Sequence, residues 1–192
     1  TVQVAKYGYD TSKRLVSVSD PRSNLTTGYT YDGTSSRLAT ITPPGLIPVQ
    51  VEYTGADHKL ARVKRDRPAG DPAGGTATLA TVLYGVPVTG SAALPSLTQA
   101  RVETWGQASA PTYAAAVFGP DKPVATLDPA QVPAGDWVFA DLSYTDARGY
   151  TVNTAAHGAG AWQVTSTGYD DLGNVVRELD ANLLTAAGLP AP

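Results

Sequence analysis

The chain has no cysteine, so it holds no disulfide framework and no thiolate metal site. It has no methionine either, and it is expected to be a piece of a longer or processed polypeptide. No apolar run reaches the roughly 18 residues that a membrane helix needs. The first residues carry no signal-peptide pattern, so any secretion signal is expected outside this stretch. Histidine is limited to His58 and His157, and neither has a second histidine at ligand spacing. Both read as ordinary loop residues. Glutamate is limited to Glu52, Glu103 and Glu178, a thin supply for the paired carboxylates of a glycosidase. No Gly-x-Ser-x-Gly turn presents a serine nucleophile. The net charge of −3 gives no reason to expect nucleic acid as the main partner. Helical periodicity is poor, with Asn182–Ala187 the best short candidate. No catalytic residue, no cofactor and no metal are therefore expected.

What the chain does have is turn residues and tyrosine. It carries 19 Gly and 15 Pro, and ten Tyr against two Phe. One phrase recurs. It reads Tyr9-Asp10-Thr-Ser-Lys-Arg-Leu15, then Tyr31-Asp32-Gly-Thr-Ser-Ser-Arg-Leu38, then Tyr169-Asp170-Asp-Leu-Gly173-Asn-Val175. A degenerate copy runs from Tyr53 to Leu60. Tyr9, Tyr31 and Tyr53 are spaced by 22 residues each time, which marks a repeat architecture. The phrase has the physics of a β-hairpin. A β-prone segment precedes each Tyr. The Asp carboxylate can accept a backbone N–H two residues on and so start a turn. Small, polar or Gly residues follow, and an apolar residue re-enters a strand. Hairpin tips are predicted at 11–13, 33–36, 55–58, 147–149 and 171–174. Leu15 and Val18, Leu38 and Ile41, Leu60 and Val63, and Val176 and Leu179 share a three-residue spacing. Strict alternation would put such pairs on opposite faces. Either both faces are partly buried or a bulge intervenes.

Repetition also bears on function. A catalytic residue is needed once, whereas Asp10, Asp32, Asp57 and Asp170 stand at equivalent or near-equivalent turns. They read as structural. Asp170-Asp171 with Asn174 lacks the closing Glu of a calcium loop. The repeat tyrosines (Tyr7, Tyr9, Tyr29, Tyr31, Tyr53, Tyr144, Tyr169) read as a ladder of rings along the sheet. The competing reading is a glycan platform, with Trp105, Trp137 or Trp162 as the stacking residues.

The phrase Tyr-Asp-x-x-x-Arg-Leu, followed by Val18-Ser19-Asp20-Pro21, resembles the YD repeat of the RHS-repeat proteins. Residues 1–66 and 136–182 carry the resemblance. Ser23, Ser12-Lys13 and Ser35-Ser36 depart from it where Gly is usual, and Tyr53 lacks its Asp. The resemblance implies an all-β fold of consecutive antiparallel hairpins forming a curved or spiral sheet, with long Pro/Gly-rich excursions. It further implies a structural segment of a shell that encloses or displays a toxin or effector domain. The partners would be flanking repeats and a C-terminal toxin of the same parent chain, in a secreted or cell-surface bacterial protein. None of Asp20-Pro21, Asp71-Pro72 and Asp128-Pro129 continues in the self-cleavage pattern of some such proteins, so no protease site is carried over. The alternative reading is an independent β-rich carbohydrate or cell-wall binding module.

Three regions follow: repeat hairpins over 1–66, a Pro/Gly-rich insertion with short strands over 67–135, and further hairpins with a tail over 136–192. Thr76–Tyr84 and Arg101–Trp105 read as strands, as do the stretches 137–145, 151–154, 162–169 and 175–179. Five prolines over 106–135 suggest a surface excursion rather than a central strand. The basic run Lys59, Arg62, Lys64, Arg65 and Arg67 reads as a solvated strand edge, or as a contact for acidic cargo. In a slice of a shell, the end strands near Val2–Tyr9 and Val175–Leu179 should form sheet edges.

Overall fold

The computed structural model describes residues 3–186. Val2 and Ala187, at the limits of an expected strand and an expected helix, lie outside them. Twelve antiparallel strands dominate the described residues, and strand order in the sheet is chain order throughout. β1 (Lys6–Tyr9), β2 (Leu15–Asp20), β3 (Leu25–Tyr31), β4 (Leu38–Thr42), β5 (Val49–Tyr53) and β6 (Leu60–Asp66) come first. β7 (Thr76–Tyr84) and β8 (Tyr113–Phe118) follow, with the short helix α1 (Gln99–Glu103) between them. β9 (Ala140–Thr145), β10 (Thr151–Gly158), β11 (Ala161–Tyr169), β12 (Val175–Leu179) and α2 (Ala181–Ala186) complete the order. All five predicted tips fall between paired strands. The chain forms two compact units that divide within β7, at Ala80/Thr81.

The first unit is built from hairpins whose side chains are mostly half-buried on both faces. Among its described apolar residues only Ala61 is fully buried. The three-residue spacing has a specific cause. Tyr9 pairs with Leu15, but Gly8 pairs with Ser17, so Val16 is an extra residue. Ala39 and Ala61 are extra in the same way after Leu38 and Leu60. One extra residue makes a bulge, and it turns a spacing of three into an effective spacing of two. Leu15 and Val18 therefore lie opposite Tyr9 and Tyr7, on one face. Both alternatives left open by the sequence are true here. The basic run is not an edge: β6 pairs with β5, and Glu52 meets Lys64 at 2.6 Å and Arg62 at 3.8 Å.

The second unit has a conventional core. Alternate residues Ala114, Ala116 and Phe118 of β8 and Ala140, Leu142 and Tyr144 of β9 are buried together in register. Ala155 and Val164 extend this apolar face on β10 and β11. The connecting segments cover it with Val86, Leu97, Val102, Val124, Val132 and Trp137. Four expectations are corrected here. Residues 106–135 are not merely a surface excursion, because β8 lies between β7 and β9. Arg101–Trp105 is not a strand: Thr98 accepts the Arg101 N–H and caps a helix instead. Trp137–Phe139 belong to a 3-10 helix, Ala134–Phe139, that precedes β9. His157 lies in β10 opposite Trp162, not in a loop. The bulge returns here, with Val152 and Val176 as the extra residues. Val175, not Val176, is thus the counterpart of Leu15.

Candidate functional site

The recurring assembly at the hairpin turns is the most elaborated feature of the chain. It starts from one carboxylate. Asp10 Oδ1 accepts the N–H groups of Ser12 and Arg14, both at 2.9 Å. Its own N–H donates to the Arg14 carbonyl at 3.0 Å, which closes a five-residue turn. Asp170 does the same with Leu172 at 2.9 Å and Asn174 at 2.8 Å. Asp146 repeats it with Arg148 at 2.9 Å and Tyr150 at 3.0 Å. The fourth turn residue has positive φ each time: Lys13 at 63°, Gly149 at 88° and Gly173 at 84°. Gly173 is doubly constrained, since a Cβ there would sit 2.5 Å from the Tyr150 hydroxyl.

These bonds set the electrostatics. The Arg14 backbone N–H, then the Arg14 guanidinium, hold the Asp10 carboxyl below its ordinary pKa despite some desolvation. The Asn174 side-chain amide and its backbone N–H do so for Asp170. At Asp146 burial pushes upward, but the Tyr150 and Arg148 hydrogen bonds outweigh it and the pKa is lowered. The other two turns are six residues long and depart from this pattern. Asp32 takes the Arg37 guanidinium at 2.9 Å, while Ser35 Oγ receives the Arg37 N–H. In the degenerate copy Thr54 replaces Asp and its hydroxyl accepts the Lys59 N–H at 3.0 Å. Asp57 is not the capping residue there; it pairs with Lys59 at 3.4 Å.

Three of the turns, at Asp10, Asp32 and Asp146, are joined to the next hairpin. The Tyr31 hydroxyl donates to the Leu15 carbonyl at 2.7 Å. Tyr53 donates to the Leu38 carbonyl at 2.9 Å, and Tyr169 to the Thr151 carbonyl at 3.0 Å. All three acceptors are the residues just before the extra bulge residue, where the ladder is interrupted. The last turn residue covers the same ring. The Arg14 guanidinium lies 4.7 Å from the Tyr31 ring centre, and Arg37 lies 5.9 Å from that of Tyr53. In the second unit Tyr150 takes the arginine's place and stacks on Tyr169 at 4.8 Å. Arg14 also donates to the Gly33 and Ser35 carbonyls, tying the first turn to the second. A hydroxyl–carbonyl bond contributes about 1 kcal/mol net and a cation–π contact about 0.5–1 kcal/mol, so each junction is modest and the repetition is what accumulates.

Of the residues singled out in the sequence, Tyr9, Asp10, Leu15, Tyr31, Asp32, Leu38, Tyr53, Leu60, Tyr169, Asp170 and Gly173 all lie at these turns and junctions. Tyr9 is 62 % exposed. Tyr144 is not part of a ladder. It is fully buried in the core, its hydroxyl has no partner among the described residues, and burial pushes its pKa up. The glycan platform is not present as proposed. Trp105 and Trp137 are only 7 % and 4 % exposed, Trp105 donating to Gln107 and Trp137 tilting against Phe118. Trp162 is half-buried, donates to the Ala93 carbonyl and meets His157 edge-on. Sequence reasoning missed Asp146, Arg14, Arg37, Thr54 and Tyr150. The repeated Arg-Leu pair was the available signal for the arginines.

No group of three or more His, Cys, Asp or Glu among the described residues could hold a metal ion. No described helix is long and apolar enough to cross a membrane. No protein-family model matches the chain, and no curated protein matches its sequence.

Proposed function

We propose that this chain is a non-catalytic structural segment of an RHS/YD-repeat shell, which encloses or displays a toxin or effector domain of its parent polypeptide. One observation carries the reading: the tyrosine of a hairpin is bonded to the bulge carbonyl of the hairpin before it and roofed by that hairpin's last turn residue. A repeat built this way is stabilised through its neighbour rather than through a private core. The first unit, half-buried on both faces, fits a wall segment. Its partners on this reading are flanking repeats and the enclosed domain, in a secreted or cell-surface protein.

Limited proteolysis of the parent polypeptide tests the proposal. The domain beyond the repeats should resist digestion when the repeats are intact. It should become susceptible when Tyr31→Ala and Tyr53→Ala are combined. Equal digestion of that domain with and without intact repeats would overturn the shell reading.

A further inference from the structure

Beyond the turns, the second unit holds a cavity of about 530 Å³. It lies between the segment after α1, the Asp146 turn and strands β11–β12. We propose that it binds a small acidic sugar, a uronate or a sugar phosphate, with Arg177 as the anion-binding residue. This does not depend on the shell reading.

The argument begins with Arg177. It is half-buried, and its Nη1 donates to the Trp105 carbonyl at 2.7 Å. No carboxylate among the described residues forms an ion pair with it, whereas Arg14, Arg37 and Arg148 each hold one. A partly desolvated cation without a counter-charge is costly, and a bound oxyanion would remove that cost. Two glycines leave the room that the side chain occupies. A Cβ at Gly106 would come within 2.9 Å of Arg177 Nη1, and one at Gly168 within 3.4 Å of Arg177 Cβ. With Nη1 committed to a carbonyl, the rest of the guanidinium edge is left to meet a carboxylate or phosphate.

The other walls set the class of ligand. Arg148 also lines the cavity and faces one acid, Asp146, whose oxygens already accept the Arg148 and Tyr150 N–H groups and Arg148 Nε. Two guanidiniums against one occupied carboxylate leave the cavity net positive. Thr112 and Thr167 bring hydroxyls that make no side-chain hydrogen bond among the described residues, suited to sugar hydroxyls. Ala108, Ala110 and Val176 give apolar surface for a ring face. In the wall itself, Gln107 is locked: its amide exchanges bonds with Asn153 at 3.0 and 2.8 Å and accepts from Ser166 Oγ at 2.9 Å. The wall is therefore rigid, and a small ligand need not order it on binding.

The test is an amide-resolved NMR titration of the whole chain at low salt with glucuronate, glucose 6-phosphate and glucose. Saturable shifts in the millimolar range at Gly106 and Gly168 are expected with one or both acids and not with glucose. The acid that binds more tightly identifies the source of the oxyanion. Arg177→Lys keeps the charge but loses the fork, and should weaken binding by about tenfold. Ala108 is an exposed lining residue whose side chain makes none of the bonds described, so Ala108→Phe adds bulk to the cavity and should weaken binding strongly while the core amides keep their shifts. Absence of shifts with both acids, equal shifts with glucose, or undiminished binding in Ala108→Phe would each overturn the proposal.

Discussion

At the residue scale, the aspartates that open the five-residue turns do a job that depends on their ionised form. Asp170 Oδ1 collects two backbone N–H groups while Oδ2 takes the Asn174 amide. These bonds favour the carboxylate and lower its pKa in the folded chain. The sign of the linkage follows. A folded pKa below the unfolded one gives stability that is present above the unfolded value, about 3.9 for Asp, and lost as pH falls through the folded value. Asp10, Asp20 and Asp146 act in the same direction. Asp170→Ala should therefore lower the melting temperature at neutral pH, with a deficit that shrinks as pH is taken below about 4. Thermal melts of both chains across that range check it; a deficit independent of pH would contradict an ionised cap. Asp32→Ala should cost less, because among the described residues the exposed Asp32 carboxylate meets only the Arg37 side chain and accepts no backbone N–H.

At the element scale, a hairpin is decided by its turn and its bulge. The fourth position of the five-residue turn needs positive φ whatever the residue. Glycine adopts that region freely, while a side chain costs about 1–2 kcal/mol there. Lys13, at 63°, carries that strain in the first hairpin. Lys13→Gly should stabilise the chain by about 0.5–1 kcal/mol after the entropy of a freer unfolded state is counted. Gly173→Ala should destabilise by more than that, since it adds the contact with the Tyr150 hydroxyl to the same strain. Urea midpoints of the two variants, read against the parent chain, should move in opposite directions. The same local chemistry explains why all five tips were legible in the sequence. An Asp or Thr cap, small residues and an apolar restart act over six or seven residues, with no help from distant parts of the chain. The bulge was legible only as an anomaly of spacing, because its register depends on the partner strand.

At the scale of the whole molecule, the two units are stabilised differently. The first has one fully buried apolar residue among its described residues, Ala61, and relies on ladders, turns and tyrosine junctions. The second buries Leu83, Val102, Phe118, Leu142 and Tyr144 together. Amides of β8–β11 should therefore exchange with deuterium more slowly than those of β1–β4. Phe118→Ala should cost about 3–5 kcal/mol, against about 1–2 kcal/mol for Ile41→Ala on its half-buried strand. Hydrogen exchange by mass spectrometry and urea unfolding check both expectations. Equal protection in β1–β4 and β8–β11 would show that the first unit has a stabilising layer outside the hairpins described.

The sequence by itself determined the hairpins at 9–15, 31–38, 53–60 and 169–175, and the hairpin around Asp146. Their turns are closed by hydrogen bonds between residues at most five apart in the chain. It could not determine that Tyr113–Phe118 is an inner strand. Its three alanines carry little β preference, and its inward row of Ala114, Ala116 and Phe118 gains meaning only against β9 and Trp137. Nor could it show that Trp105 and Trp137 are buried core residues, or that Gln107, Asn153 and Ser166 meet. Those contacts join residues up to 59 positions apart, and only the tertiary fold brings them within hydrogen-bonding distance.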